Sequence, residues 1–194
     1  TDYPDLVIPP DRDHEGHRGW RADEILNNIY GSGQNWLGVH PADVILLHIG
    51  TNDIYQGQSA ASTAAEIEQI LARIDLFEGD TGQDVMVFLA RIINRTDLTS
   101  ERGLETTLLN EEIQDLADSR IAAGDSLSVV DMEPLLDYST DMADTLHPNA
   151  RGYAKMAGQP PLYSSAGGWY PALVNYLDVC ATPPCELLSR FQRT

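Results

Sequence analysis

Three short apolar runs stand out along the chain. The first rises through Val44-Ile45-Leu46-Leu47-His48-Ile49 and stops abruptly at Gly50, where Thr51-Asn52-Asp53 follow. The second spans residues 84–92, with Val85-Met86-Val87-Phe88-Leu89-Ala90 at its centre, and the third spans residues 126–132. Runs of this length, rich in β-branched residues and bounded by turn formers, predict strands buried on both faces. Between them the apolar period changes to that of a helix. Residues 59–77 place Ile67, Ile70, Leu71 and Ile74 on one face, with Ser59 or Ser62 as the cap. Residues 99–123 predict a long helix whose stripe is Leu104, Leu108, Leu109, Ile113, Leu116 and Ile121, ended by Gly124. Ahead of the first strand, residues 23–30 put Ile25, Leu26 and Ile29 together, and Trp36 and Leu37 resume helical character beyond Gly31-Ser32-Gly33. A last helix is predicted from residue 149 to 156, with Pro148 suited to its first turn.

Alternating strands and helices imply parallel strands joined by right-handed crossovers. The expected fold class is therefore α/β, a three-layer αβα sandwich around a parallel sheet. Three strands are few for a sheet covered on both faces. Residues 1–17 read as loop. Residues 158–168 contain two prolines and three glycines, which oppose helix interior. That stretch reads either as a surface loop or as an error in the gene model, such as a retained intron. Helical character returns at residues 170–177. The expected organisation is one domain over residues 1–178 and a C-terminal tail over 179–194.

Charge narrows the function. Thirty acidic against 12 basic residues leave a formal charge of −18. Binding to a phosphate backbone needs clustered Lys and Arg, so nucleic acid and anionic membranes are disfavoured as partners. No apolar run is long enough to cross a bilayer. A weakly charged substrate such as a sugar ester suits this surface. Cys180 and Cys185 bracket a short Pro-Pro loop that a disulfide closes if the turn geometry allows it. Asn94-Arg95-Thr96 is a sequon for N-glycosylation. Together these point to an extracellular protein. Asn94 follows the second strand, so it is either a glycan carrier near a cleft or an unmodified polar residue there. Thr1 is not a natural start, so the true N-terminus is expected upstream.

Three polar clusters carry the candidate chemistry. In an open parallel sheet, ligands bind just beyond the carboxyl ends of the strands, which is where Asn52 and Asp53 fall. A side-chain amide there, with backbone N–H groups, is a usual component of an oxyanion hole, although Gly, Asn and Asp also make ordinary turns. In Asp144-Thr145-Leu146-His147, a carboxylate three residues before an imidazole reaches its Nδ1 across one turn. That leaves Nε2 as a general base. In isolation the same spacing serves equally as a helix-entry cap. The third cluster is Asp13-His14-Glu15-Gly16-His17-Arg18-Gly19-Trp20-Arg21. Asp11, Asp13, His14, Glu15 and His17 are all possible metal ligands, but they follow no recognised ligand spacing, so no metal or other cofactor is expected. Gly19, just before a helix, offers its N–H as a second oxyanion donor.

In this order the clusters resemble the SGNH (GDSL-type) hydrolase superfamily. Gly19 matches its glycine block, Asn52 in Gly50-Thr51-Asn52-Asp53 its asparagine block, and Asp144 with His147 its Asp-x-x-His block. The segments 13–21 and 147–156 look more specifically like carbohydrate esterase family 3, which includes acetyl xylan esterases. The resemblance runs from about residue 11 to residue 156. It implies an SGNH, flavodoxin-like sandwich and a Ser-His-Asp esterase that deacetylates carbohydrate. His147 and Asp144 would be catalytic, Gly19 and Asn52 would form the oxyanion hole, and Trp20 and Asp53 would contact substrate. Trp20 would offer a stacking face for a sugar, against the plainer reading of a buried tryptophan. The partner would be a small ester or an acetylated polysaccharide. Other SGNH esterases or lipases, and a non-catalytic carbohydrate-binding relative, share the same blocks.

The resemblance also implies a serine in a Gly-Asp-Ser block near the N-terminus. No such block precedes Gly19 here, so two N-terminal strands and the helix between them are expected to be lacking. Gly124-Asp125-Ser126-Leu127 spells the family tetrapeptide in the wrong setting. A nucleophile elbow needs a strand before the serine and a helix after it, and Ser126 has the reverse. By itself the chain is therefore expected to be inactive.

Overall fold

The three apolar runs form the three strands of one parallel sheet, β1 (Val44–Leu47), β2 (Met86–Arg91) and β3 (Leu127–Asp131), in the order β1-β2-β3. A computed structural model describes residues 14–158 and 167–180, with side chains as far as residue 177. Asp11, Asp13, the Cys180–Cys185 pair, the Pro-Pro stretch and the tail lie outside the described residues. Val44 is registered against Met86 and Leu47 against Leu89, while Phe88 faces Ser128 across the next pair. Alternation along the strands divides the core. Ile45, Leu47, Val87, Leu89, Leu127 and Val129 look one way. Val44, Met86, Phe88, Ala90 and Val130 look the other.

The first face is covered by the two crossover helices, α4 (Ala60–Thr81) and α5 (Glu101–Ala123). Each crossover advances one strand in the same direction, so both helices fall on one side. Helices α1 (Ala22–Ile29) and α2 (Trp36–Val39) complete that layer through Ile25, Ile29, Trp36 and Leu37. The second face is met by α6 (Ala150–Ala157) and α7 (Trp169–Cys180), which supply Met156, Trp169, Leu173 and Tyr176. Tyr176 stands edge-on to Phe88 at 5.7 Å. Among the described residues a cavity of about 550 Å³ lies on this side between Phe88, Val130 and Tyr176. Among the described residues the outer edge of β1 is unpaired, and Leu46 remains 42% exposed beside it.

Local chemistry explains most element ends. Ser59 Oγ accepts the Ser62 N–H to start α4. Ser100 Oγ accepts the Gly103 N–H to start α5, and Gly124 closes α5 at φ +107°. Ser126 then sits just before β3, at the amino end of the sheet, and its carbonyl accepts the Val87 N–H. The Gly124-Asp125-Ser126 tetrapeptide start is thus a helix stop and a strand entry. Two expectations need correction. Asn149 caps α6, taking the N–H groups of Arg151 and Gly152, and Pro148 lies ahead of the cap in a bridge to Met142. The stripe on α5 is also differently faced. Leu109 and Ile113 are fully buried, but Leu104, Leu108 and Ile121 are exposed, and the inward line is completed by Gly103, Thr106, Asn110 and Ala117. Close packing favours small and amide-bearing residues over leucine: a Cβ on Gly103 would meet the backbone of residues 97–98, and Asn110 bonds the Ile92 backbone. One element was not legible at all: the residues after Gly50 form a short helix, α3 (Thr51–Tyr55), rather than a simple turn.

His48 leaves β1 with its Nε2 buried and without a hydrogen-bond partner among the described residues. Burial pushes the imidazole down to about 4, against a small opposing effect of a backbone hydrogen bond. An unfolded histidine takes up its proton near pH 6.5. Between those values the unfolded state binds a proton that the folded state refuses, so stability falls as pH drops through the window, by on the order of 3 kcal/mol. Asp53 and Glu78 are both raised by burial and act in the opposite sense, so the parent must be compared with a variant. In urea unfolding, His48→Leu is expected to match the parent at pH 8 within about 1 kcal/mol and to exceed it at pH 4.5. Equal acid sensitivity of the two would refute this account. For the corrected α5 face, Leu109→Ala is expected to cost about 2–5 kcal/mol in the same measurement. Leu104→Ala, on the solvent side, is expected to cost less than about 0.5 kcal/mol.

Candidate active site

The polar clusters gather at the carboxyl edge of the sheet. Beyond β1 the chain turns at Gly50, whose φ is +112°. A Cβ there would sit 2.7 Å from Leu109 Cδ2 and 3.3 Å from Thr63 Cγ2, so both conformation and space demand glycine. The turn launches α3, and three α3-region side chains reach back to the segment before α1. Asn52 Nδ2 donates to the Trp20 carbonyl at 2.7 Å. Gln56 Nε2 donates to the Gly19 carbonyl at 3.0 Å. Asp53 Oδ1 accepts the Ala22 N–H at 2.9 Å. Asn52 and Gln56 are four residues apart, one helical turn, so they grip adjacent carbonyls.

This grip brings Gly19 and Asn52 together. Gly19 is exposed, in left-handed conformation at φ +83°, and its N–H donates to no acceptor among the described residues. Asn52 spends one amide hydrogen on Trp20 and has a second to offer. Trp20 is half-buried, and its indole stacks on the His17 imidazole at 4.0 Å, with Trp36 alongside at 6.1 Å. His17 therefore occupies one side of the ring. The expectation for Asp53 is corrected. Its side chain is fully buried and turned toward the start of α1, so it holds the fold of the site and does not face substrate.

The Asp144–His147 pair forms as a compact turn. Asp144 Oδ2 lies 2.9 Å from His147 Nδ1, and Asp144 Oδ1 accepts the N–H groups of Leu146 and His147, each at 2.8 Å. The Leu146 N–H, the His147 N–H and the imidazole, in that order, draw the Asp144 carboxyl down to about 2. It is ionised at any working pH. Its bond to Nδ1 fixes the tautomer that leaves Nε2 as the basic nitrogen. Both side chains are well exposed. Thr96, in the loop after β2, donates its N–H to the Thr145 carbonyl at 3.1 Å, tying the turn to the sheet. No hydrogen bond joins this pair to Asn52 or Gly19, and among the described residues no serine hydroxyl bonds His147. The arrangement can accept a proton at one point and stabilise a developing negative charge at another.

The other candidates resolve plainly. His14 Nδ1 accepts the Gly16 N–H, and His17 pairs with Glu15 at 2.9 Å. Among the described residues no three His, Cys, Asp or Glu side chains are placed to hold a metal ion. Asn94 is 1% exposed, and its amide donates to Gly103, Thr107 and Glu133. A glycan cannot be attached to a buried amide so engaged, so the sequon is a structural residue of the fold. Glu133 also receives Asn110, whose amide both accepts the Ile92 N–H and donates to the Ile92 carbonyl. That network, Gln56 and the buried Asp141 escaped sequence reasoning. Only Gln56 had a legible signal, its helical spacing from Asn52.

Comparison with known proteins follows the same outline. Residues 5–155 match the GDSL-like Lipase/Acylhydrolase family. The chain is 26% identical over 165 residues to a multidomain esterase of Ruminococcus flavefaciens, covering 79% of this chain and 21% of that protein. It therefore spans about a fifth of that relative's length. Among solved structures, a family 3 carbohydrate esterase of Clostridium thermocellum is 27% identical, with a TM-score of 0.68 over 89% of this chain and 74% of that one. A carbohydrate esterase family 3 protein of Talaromyces cellulolyticus is 25% identical, with a TM-score of 0.68 over 91% and 78%. With residues 5–155 matched by the family and the fold shared with these structures, the chain belongs to the GDSL-like lipase/acylhydrolase family.

Proposed function

We propose that this chain is the body of a secreted serine esterase that removes acetyl groups from carbohydrate, xylan among them. The observation that carries the reading is the Asp144–His147 turn, held at 2.9 Å on the edge where Asn52 and Gly19 converge. In that reading a serine hydroxyl attacks the acetyl carbonyl, and His147 Nε2 takes its proton. Asp144 holds the imidazole and offsets its positive charge. The second Asn52 amide hydrogen and the Gly19 N–H meet the tetrahedral oxyanion. His147 then gives the proton to the sugar oxygen as its bond to the acetyl carbon breaks, freeing the sugar hydroxyl, and water, activated by His147, attacks the acetyl-enzyme to release acetate and restore the serine. The nucleophile is not Ser126, which lies at the opposite end of the sheet. The acidic surface suits a neutral polymer, and two of the relatives are named as carbohydrate esterases, which favours a sugar ester over a lipid.

Acetate release from acetylated xylan and hydrolysis of p-nitrophenyl acetate and octanoate test this. The assays use the 194-residue chain and the natural protein that contains it. The natural protein is expected to prefer acetyl substrates, and the 194-residue chain to be inert. His147→Ala is expected to lower kcat by about 10³-fold or more, and Asn52→Ala by about 10²–10³-fold. Ser126→Ala is expected to change nothing. A preference for octanoate would select a lipase instead. Tight xylan binding without turnover in the natural protein would select a non-catalytic binder.

A further inference from the structure

The Asp144–His147 side chains are exposed, so their own burial does not hold them in place. The loop that carries them, residues 136–149, is held from below by a second aspartate. Asp141 is fully buried, three residues before Asp144. Its Oδ2 accepts the Asp137 N–H at 2.7 Å and the Lys155 ammonium at 2.5 Å. Its Oδ1 makes no hydrogen bond among the described residues, and the half-exposed Arg151 faces it as an ion pair, Nε at 3.2 Å, so Lys155 is the principal partner. Both cations belong to α6, so the carboxylate binds the loop to that helix. The Asp141 backbone acts with the side chain. Its N–H donates to the Asp137 carbonyl, and its carbonyl accepts the Asn149 N–H, both at 2.8 Å. Asn149 Nδ2 donates in turn to the Thr140 carbonyl at 2.8 Å while Oδ1 caps α6. The space beneath is closed as well: a Cβ on Gly152 would fall 2.4 Å from the Asp141 carbonyl oxygen. Above this cinch the Met142–Pro148 bridge and the Ala143 N–H to His147 carbonyl bond narrow the loop, so that the Asp144–His147 turn is its tip.

We propose that Asp141, through its ion pairs with Lys155 and Arg151, is the positioning residue that sets the geometry of the Asp144–His147 pair. The assignment rests on reading that pair as the esterase base and its orienting carboxylate. A buried carboxylate is costly unless fully matched, and removing a partner leaves the remaining charge uncompensated. The loop therefore has one low-energy seating on α6, and the tip inherits it. Burial opposes ionisation of Asp141, but Lys155, the Asp137 N–H and Arg151 outweigh it, and the carboxyl is held below the ordinary range. Lys155 also faces Asp137, which is drawn down chiefly by Ser139. Asp137, Asp141, Arg151 and Lys155 are thus the charged groups at the cinch.

The test is an NMR titration of the Asp144 carboxyl and the His147 ring in the 194-residue chain, with thermal unfolding recorded in parallel. In Asp141→Asn and Lys155→Gln the Asp144 midpoint is expected to rise from about 2 by one unit or more, as its bonds to Leu146 and His147 loosen. Lys155→Arg, which keeps the charge, is expected to leave it in place. In the natural protein Lys155→Gln is expected to lower kcat by about tenfold or more at little change in KM, because small displacements of a reacting group carry large rate penalties. Should Asp141→Asn fail to fold, Lys155→Gln decides. An unmoved Asp144 midpoint in a folded Lys155→Gln chain, even with a lowered Tm, would overturn the proposal. The midpoint reads geometry and not turnover. If His147→Ala kept full esterase activity while the midpoint moved as expected, the esterase reading would fail and the positioning would stand.

Discussion

The reversal of the chain at Gly50 is the constraint on which the site depends. β1 is only partly buried, with Leu46 exposed at its open edge, but at Gly50 the chain must turn without a side chain because Leu109 and Thr63 fill the space. That single close approach aims α3 back across the edge of the sheet. Asn52, Asp53 and Gln56 can then bond the backbone of residues 19–22. Without the turn, the glycine block and the asparagine block would be two separate loops. With it, the adjacent carbonyls of Gly19 and Trp20 are bonded by Gln56 and Asn52, and the two blocks lie side by side.

The same edge is held at its other strands by buried polar groups. Asn110 completes the backbone bonding of Ile92 where β2 has run out of partners, and Glu133 collects the amides of Asn94 and Asn110. Each donor left unmet at such depth would cost free energy comparable to a lost hydrogen bond. The loop after β2 is therefore anchored by hydrogen bonds on the way to Thr96, whose N–H meets the Thr145 carbonyl. Two aspartates three residues apart then take opposite roles in one loop. Asp141 is buried against two cations and fixes the loop's seat, while Asp144 stands in solvent and holds the imidazole. The difference is environment and not residue type.

Some misreadings share a cause. On α5 the leucines at 104 and 108 predict an inward stripe, yet the inward line runs through Asn110 and Ala117, with Gly103 packed on the backbone of residues 97–98. A helix lying close to strand ends needs small groups and amides there, and hydrophobic periodicity does not register them. The Asn94 sequon is a local three-residue pattern, blind to the three partners that bury the amide. Asp53 followed Asn52 in an apparent turn, so both were expected to face the ligand. In a helix, adjacent residues diverge by about 100°, and one of them turned inward.

The sequence by itself determined the three strands, the two long crossover helices and the stop of the second at Gly124, while Ser59 and Ser62 stood as alternative caps of the first and the Ser100 cap came from the structure. The sequence also determined the Asp144–His147 turn, because each rests on contacts between residues close along the chain or on a simple apolar period. The rejection of Ser126 as a nucleophile was equally local, since a serine between a helix and a strand lies at the amino end of that strand. Only the tertiary structure decided which face of α5 is inside, that Asn94 is sealed and that Asp53 supports α1. Only it brought Gly19 to Asn52 and Asp141 to Lys155. Those pairings depend on where the sheet places segments 14 to 33 residues apart. No local pattern encodes such a distance, because packing of the whole layer sets it.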